Sequence, residues 1–404
     1  MLLLALSLAA GLAPGDTAAR PAGPLPAAVA GMVTVHRQPA IPIVALRLSL
    51  LADDPPGYAG AGHLFQHRVV PSLREQVRRV GGEVQEVRGS DAVVYTVVGP
   101  ASELGFLAEV LRSALRVPAF SEGEVARASR ALEDERNAEW ETAAAHVRAR
   151  LRASLLPADL PAAGTAAAAG RLTPDALAAV WGEMYRPERV SVVAVGDVEV
   201  GQVREAFARL PDAAEPGLGE TAPDTMPAAP PVAPEATRGW LGLGYSASDA
   251  DPVALTVTAR LLRQTLRERL PASAQVEAEH WWTRQGQALV AVVASQPAGL
   301  AAARRAVRAS LTALRDDLDA DRVRGAAAGV RRDMLFYARK PEHMAEVVGG
   351  FIDREGSPDA AQRFYAAVEA VDEEAVRRVL DALAERTPTL VDVPPQKIPE
   401  RNRR

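Results

Sequence analysis

Two histidines four residues apart constrain this chain more than any other feature. The segment 60–70 reads Gly-Ala-Gly-His-Leu-Phe-Gln-His-Arg-Val-Val, with the imidazoles at His63 and His67. On a helix, residues four apart stand on the same face, one turn from each other. This spacing allows both imidazoles to bind one tetrahedral zinc ion. The sequence therefore predicts a helix that carries two metal ligands.

The residue before the second histidine is an amide, Gln66. A glutamate at this place would complete the motif His-x-x-Glu-His of one class of zinc proteases, in which it acts as the general base. Glutamine has no titratable proton, so it orients water but cannot relay a proton. Loss of a positioned general base lowers a reaction rate roughly 10²–10⁴-fold. We therefore expect metal ligands without the base that peptide hydrolysis needs.

Length and composition are typical of a globular chain with two domains. The chain has 404 residues, of which 48% are apolar and 24% charged, so it can bury two cores. Basic and acidic residues are interspersed and the formal net charge is −5, which argues against nucleic acid as a partner. Cysteine is absent, which excludes disulfides, thiolate metal ligands and thiol catalysis.

The first residues have the pattern of an export signal. Residues 1–13 form an apolar run that ends in small residues and is too short to span a bilayer. Arginine supplies nearly all the positive charge and alanine is abundant, a bias typical of bacterial genes rich in G and C. We expect a signal peptide at 1–19 and an exported, periplasmic protein. No other run reaches transmembrane length without charges, so no stable membrane span is predicted.

Two halves of the chain repeat one order of elements: a strand, a helix, two strands and further helices. A segment rich in proline, alanine and glutamate joins the halves and is predicted to be a linker. Each half is predicted to be an α+β layer, with one mainly antiparallel sheet and helices packed on one face. The predicted domains are 24–212 and 236–395, with the linker at 213–235 and a charged tail at 396–404.

Local signals predict where two of the helices begin and end. Pro71 is expected to end the histidine helix and to start a second helix at 72–80, because proline lacks the N–H that a helix interior requires. Ser121 and Glu124 have the spacing of a capping box and predict one long helix from 121 to about 155.

Together these segments resemble the pitrilysin/insulinase family of zinc metallopeptidases, in the short two-domain form related to mitochondrial processing peptidase. The resemblance covers nearly the whole chain after the predicted signal, and it does not rest on the histidines alone. The segments that carry it are Asp54-Pro55-Pro56-Gly57, Gly81-Gly82-Glu83 followed by Tyr95, the helix from Phe120 to Arg136, Tyr185-Arg186-Pro187, Val195-Gly196-Asp197 and Leu266-Arg267-Glu268.

The resemblance implies a third zinc ligand, a glutamate on a distant helix. Matching the family's segment places this ligand at Glu135, whereas Glu133 and Glu139 on the same helix leave the register open by a turn. Two histidines and a glutamate with one open position form a catalytic zinc shell. The implied ligand set is therefore His63, His67 and Glu135.

Three further positions depart from the family along the same catalytic path. Ala128 replaces an accessory acid, and Gln-Glu-Val-Arg at 85–88 replaces the Asn-Ala-x-Thr of the substrate strand. The family also has an Arg/Tyr pair that holds the substrate backbone. Of this pair Arg267 is kept, while Ala274 stands in place of the tyrosine. With Gln66, these departures indicate that selection for proteolysis has lapsed.

The resemblance thus implies an inactive peptidase homologue that serves as the non-catalytic subunit of a heterodimeric zinc metalloprotease. The implied partner is an active homologue with the motif His-x-x-Glu-His, and the implied ligand is an extended peptide that adds to a sheet edge as a strand. Two alternatives stay open. One is a zinc metalloendopeptidase of low activity, with a carboxylate such as Glu86 in place of the base; the other is a stand-alone peptide-binding scaffold.

Overall fold

The computed structural model describes residues 32–88, 92–213, 217–227 and 236–395. The predicted signal peptide at 1–19, the charged tail at 396–404 and parts of the predicted linker lie outside these ranges. The side chains of Glu86 and Glu139 also lie outside the described part of the structure.

The first half forms one sheet with helices. Its strands are β1 (Met32–Arg37), β2 (Ile43–Leu50), β3 (Glu83–Arg88), β4 (Val93–Pro100) and β5 (Val190–Gly196). Its helices are α1 (Ala61–Arg78), α2 (Leu104–Ser113), α3 (Glu122–Glu141), α4 (Ala143–Leu155), α5 (Ala166–Ala169), α6 (Pro174–Met184) and α7 (Val200–Ala206). The strand order is β1-β5-β2-β4-β3, and neighbouring strands are antiparallel except for β1 and β5.

The second half forms a smaller sheet. Its strands are β6 (Gly239–Ser246), β7 (Gln275–Thr283), β8 (Gly286–Ser295) and β9 (Thr389–Val393). Its helices are α8 (Pro252–Arg269), α9 (Leu300–Arg308), α10 (Ser310–Asp316), α11 (Ala320–Tyr337), α12 (Pro341–Glu355), α13 (Ala360–Ala370) and α14 (Glu373–Ala384). The order β7-β8-β6-β9 is antiparallel throughout. The predicted fold class is confirmed.

The two halves share one topology. In the first, β2, α1, β3 and β4 follow one another, β4 pairs with β2, and β3 forms an edge of the sheet. In the second, β6, α8, β7 and β8 repeat this arrangement, with β7 at an edge. Helices α1 and α8 therefore occupy equivalent places.

Each half also covers the second face of the other half's sheet. Helix α4 leaves the first half and buries Val147 and Leu151 against β6, β8 and β9 of the second. Helix α12 buries Val348 and Ile352 against β2 and β5 of the first. The prediction of helices on one face holds for each half's own helices. An apolar sheet face must be buried. The exchange of α4 and α12 covers the second face of each sheet.

Glycines on β6 make room for the exchanged helix α4. A Cβ atom at Gly242 would lie 2.6 Å from a methyl group of Val147, and one at Gly244 would collide with Leu155. Contacts this short do not occur between carbon atoms, so α4 packs directly on the strand backbone only because these side chains are missing. Gly242 and Gly244 thus serve the contact between the halves.

Helix α1 does not end at Pro71, and the predicted second helix at 72–80 is part of it. Proline inside a helix costs about 3 kcal/mol because it removes a hydrogen bond and crowds the preceding turn. Beyond the proline, however, the apolar face continues with Leu73 and Val77, which are 1% and 0% exposed. Full burial of each such side chain is worth about 1.5–3 kcal/mol, enough to outweigh the cost.

The long helix predicted from 121 to 155 is two helices, α3 and α4, separated at Thr142. This residue has extended backbone angles, φ −112° and ψ 151°, and its hydroxyl accepts a hydrogen bond from the N–H of Ala145 at 3.1 Å. Threonine favours this N-cap geometry over a helix interior. The break lets α4 turn away from α3 and reach the second sheet.

Residues 217–227, within the linker predicted at 213–235, contact the first half. The contact is with the loop before α1: the Oγ1 of Thr221 donates to the carbonyl of Pro56, and the Asp224 carboxylate accepts from the N–H of Ala59 at 2.9 Å. Among the helices within the described ranges, none is both long and apolar enough to cross a membrane.

Candidate metal centre

The start of α1 is fixed by a partly buried carboxylate. Asp54 accepts hydrogen bonds from the backbone N–H groups of Gly60 at 2.6 Å and Gly62 at 2.7 Å. These N–H groups lie at the positive end of the helix, where they have no partner within it. Burial raises the pKa of Asp54 to about 6, although the two hydrogen bonds act in the opposite direction. Asp54 therefore sets the direction in which the first turn presents its histidine.

The three predicted metal ligands meet at one point. The Nε2 atom of His63 lies 3.3 Å from one oxygen of Glu135, and the Nε2 atom of His67 lies 3.4 Å from the other. The two imidazoles are stacked with their centroids 4.7 Å apart. Glu133 on the same helix is exposed, so the register left open by the sequence places Glu135 at the histidines.

The cluster fits a zinc ion. Two imidazole nitrogens and a carboxylate are a common zinc donor set, and their ligand atoms all lie within 4.8 Å of one another. His67 Nε2 is buried and makes no hydrogen bond with any residue that the structure describes. A ligand nitrogen that faces a cation is expected to have this environment. His63, His67 and Glu135 would hold the metal.

Gln66 points to the same region but bonds to the sheet. Its side-chain amide is 6% exposed and donates a hydrogen bond to the carbonyl of Val94 on β4 at 2.9 Å. An ionised glutamate at this position would have no hydrogen to offer that carbonyl. The amide of Gln66 therefore satisfies the carbonyl of Val94, whereas a glutamate carboxylate would not.

A cavity of about 240 Å³ opens beside the cluster. His63, Gln66 and Asp54 lie on one side, and the loop 158–162 and Asp224 of the predicted linker complete its wall. Sequence reasoning missed Asp224, because a segment rich in proline and alanine carries no periodic signal. Glu220 and Thr225 flank Thr221 and Asp224, so the sequence does not distinguish the two residues that make the contact.

The remaining predicted positions lie apart from the cluster. The segment 85–88 lies on the edge strand β3, where a peptide can add to the sheet. Ala128 is partly buried against the core of the first half. Arg267 is exposed near the end of α8 and does not line the cavity at the metal cluster; Ala274 lies in the turn before β7. The role predicted for Arg267 stays a prediction.

Comparison by sequence finds no relative: no family model matches the chain, and no curated protein matches it. Comparison by structure finds many. A protease from Helicobacter pylori superposes with a TM-score of 0.72 at 16% identity, covering 89% of this chain and 97% of that one. A putative M16-like peptidase from Alicyclobacillus acidocaldarius gives 0.72 at 13% identity, covering 91% and 96%.

A third similar structure is the peptidase M16 inactive domain from Pseudomonas fluorescens. It gives a TM-score of 0.70 at 13% identity and covers 90% of this chain and 95% of that one. Identities this low show the fold alone. The chain has the two-domain fold of M16-like peptidases, and the fold that the pitrilysin resemblance implied is thereby supported.

Proposed function

We propose that this chain is a zinc-binding homologue of M16-like peptidases that does not hydrolyse peptides by itself. The observation that carries the proposal is the amide of Gln66, which stands where the general base is needed and donates its hydrogen to Val94. His63, His67 and Glu135 would hold the ion. When bound, zinc would supply a Lewis acid that polarises water or a carbonyl group.

The chain's own residues supply binding rather than proton transfer. An amide neither takes up nor returns a proton near neutral pH, so Gln66 cannot pass one to a leaving amine. The edge strand β3 has one side that pairs with no described strand, and an extended peptide can add to this side. In this proposal the chain binds the peptide substrate, and another chain hydrolyses it.

The proposed partner is an active homologue that carries His-x-x-Glu-His. Retention of both halves and of the metal ligands, together with loss of the base, supports a subunit that shapes the substrate chamber. The similarity to a structure described as an inactive M16 peptidase domain supports the same assignment. Export to the periplasm, inferred from residues 1–19, belongs to this proposal.

Peptide hydrolysis by the zinc-loaded protein tests the proposal. The samples are the wild type, Gln66→Glu, and Gln66→Glu combined with Ala128→Glu and Ala274→Tyr, assayed on an unstructured peptide. We expect no cleavage by the wild type and little by the single variant, because groups that act together are strongly non-additive. Cleavage by the wild type that disappears in His67→Ala would overturn the proposal.

Co-purification tests the partner. Tagged protein isolated from its host is expected to bring down a relative that carries His-x-x-Glu-His, and its N-terminus is expected to begin after the signal. A monomer under these conditions, or recovery of the protein from the cytoplasmic fraction, would contradict the subunit and export assignments without bearing on the fate of the base.

A further inference from the structure

A second and larger cavity, of about 660 Å³, lies between the two halves. It opens on the face of the first sheet that α12 covers, opposite the face that packs against α1. Arg47 and Val94 contribute from the first half, and side chains of α8, β7, α11 and α12 contribute from the second. Its volume falls within the roughly 300–1,000 Å³ that is usual for small-ligand sites.

One arginine of this cavity is fixed by a glycine and an aspartate on α12. Arg47 lies across Gly349, where any Cβ atom would collide with the guanidinium. It reaches Asp353, one turn further along α12, and forms an ion pair in which both side chains are almost fully buried. Its positive charge is therefore neutralised within the protein.

A second arginine packs against α11 in the same way. Arg260 lies across Gly329, where a Cβ atom would again collide with the guanidinium. It pairs with Asp333, four residues further along the helix. On both helices a glycine makes room for the guanidinium, and an aspartate four residues later forms an ion pair with it. Arg47 and Arg260 are therefore held in place by the protein itself.

The other acidic side chains that line the cavity also have partners. Glu279 on β7 pairs with Arg148 of α4 at 2.9 Å, and Glu346 on α12 accepts a hydrogen bond from the hydroxyl of Tyr337. His280 adds no charge at neutral pH, because burial lowers its pKa to about 4.

Arg263 differs from these arginines. It lies on α8 between Arg260 and Arg267, is partly buried in the cavity, and forms no ion pair or hydrogen bond with any described residue. Burial, and then the charges of Arg260 and Arg267, lower its pKa, while the charges of Asp333 and Glu279 act in the opposite direction. Both carboxylates form their direct ion pairs with other arginines, Asp333 with Arg260 and Glu279 with Arg148. An anion that binds Arg263 directly would therefore stabilise a partly buried cation that lies beside two others.

Apolar groups line the same cavity, and Arg354 lies over them, with its guanidinium carbon 4.9 Å from the ring centroid of Trp282 and 5.1 Å from that of Phe351. Trp282, Phe351 and Phe364 pack with ring centroids 4.8–5.7 Å apart and form one wall of the cavity. Tyr337 lines the cavity and is 44% exposed, and its neighbour Phe336 is 55% exposed. A ligand with a carboxylate and an adjoining apolar group would satisfy both features.

We propose that this cavity binds the carboxylate of such a ligand through the guanidinium of Arg263, with the apolar group against the aromatic wall. The carrier that we infer is a peptide, and the carboxylate is either its C-terminus or an acidic side chain. Only the choice of a peptide rests on the proposed function. The site itself requires neither zinc nor a partner subunit.

Calorimetric titration with N-acetyl-phenylalanine tests the site on metal-free protein. N-acetyl-phenylalaninamide has the same ring and no charge, and is expected not to bind. Arg263→Gln is expected to weaken binding of the acid about tenfold or more, because hydrogen bonds to charged groups are worth about 1.5–3 kcal/mol. Arg308→Gln is the matched control, since Arg308 is exposed on α9 outside the cavity and the charge change is the same.

The stability of the variant is a second readout. Because Arg263 has no ion pair or hydrogen bond among the described residues, Arg263→Gln is expected to leave the thermal midpoint unchanged or to raise it, and Arg263→Lys to retain part of the affinity. A lower midpoint for Arg263→Gln would reveal a native partner and overturn the proposal. Equal binding of the acid and the amide, no binding of either, or unaltered affinity in Arg263→Gln would also overturn it.

Three peptides of one apolar sequence identify the carrier. The first has a free C-terminus, the second an amidated C-terminus, and the third an amidated C-terminus with one internal glutamate. Binding of the first alone identifies a terminal carboxylate, and binding of the third as well identifies a side-chain carboxylate as sufficient. If N-acetyl-phenylalanine binds and no peptide does, the inference of a peptide carrier is wrong and the carboxylate site stands.

Discussion

Helices α1 and α8 occupy the same place in the two halves and carry opposite chemistry. Helix α1 presents His63 and His67, which converge with Glu135 on a point suited to a cation. Helix α8 presents Arg260 and Arg263 to a cavity, where Arg260 forms an ion pair and Arg263 forms none with a described residue. A repeated fold thus fixes where a site can form, whereas the side chains decide what it binds.

The largest expected effect concerns two ion pairs of arginine that join the halves. Arg47–Asp353 is buried, with side-chain exposures of 3% and 4%, whereas Arg148–Glu279 is 33% and 42% exposed. Asp353→Ala is expected to cost about 3–5 kcal/mol, because it leaves a buried charge without compensation. Glu279→Ala is expected to cost about 1 kcal/mol or less.

Urea unfolding of both variants beside the wild type measures the difference. Equal losses would show that burial of the first pair does not govern the contact between the halves.

The histidines of the two halves also differ. His280 is partly buried, and its ring nitrogens lie 2.8 Å from Thr256 Oγ1 and from Gln287 Oε1, so it serves packing rather than metal binding. Burial lowers its pKa from 6.5 to about 4. As the pH falls from 6.5 to 4, the unfolded chain takes up a proton and the folded protein does not. Stability should therefore fall by about 3 kcal/mol in this window through His280.

The difference between the wild type and His280→Gln in urea unfolding at pH 7 and pH 4 isolates this contribution. The variant should lose less stability on acidification than the wild type. An equal loss in both proteins would show that His280 binds its proton equally in the folded and unfolded states.

The exchanged helices provide a smaller test. Gly244→Ala places a methyl group against Leu155 of α4 and is expected to cost about 1–3 kcal/mol through overpacking. Gly325→Ala on α11 is the matched control, because no atom lies within 4 Å of the added methyl group. The control is expected to gain up to about 1 kcal/mol from helix propensity.

Thermal unfolding compares the two alanine variants. A loss at position 244 no larger than the change at 325 would show that α4 can shift on its strand without cost.

The sequence predicted the fold class and the meeting of His63, His67 and Glu135, but it did not predict how the two halves exchange helices. Spacing placed His63 and His67 on one helical face, and the resemblance placed Glu135 beside them. The sequence did not predict the exchange of α4 and α12. An apolar helix face indicates that the face is buried, but not which sheet it packs against. The break at Thr142, on which the exchange depends, was hidden by a helical pattern on both sides of one threonine.

Local rules failed where tertiary packing outweighed them. Pro71 signals the end of a helix, yet Leu73 and Val77 beyond it are buried, and the helix continues. For Arg263 the sequence contains no signal at all. The chain is rich in arginine, and nothing in the sequence distinguishes this arginine from those that form ion pairs. Only the structure distinguishes it: Asp333 and Asp353 form ion pairs with Arg260 and Arg47, whereas no described carboxylate forms one with Arg263.

The central claim is that the ligands of a metal site are kept while its base is lost. Zinc content after loading and gel filtration tests the first part of this claim most directly, with the wild type compared with Gln66→Glu and His67→Ala. The account predicts about one zinc per chain in the wild type and in Gln66→Glu, and loss of zinc in His67→Ala, because the two histidines and the glutamate form the shell. A wild type without zinc, or zinc unaffected by His67→Ala, would contradict it.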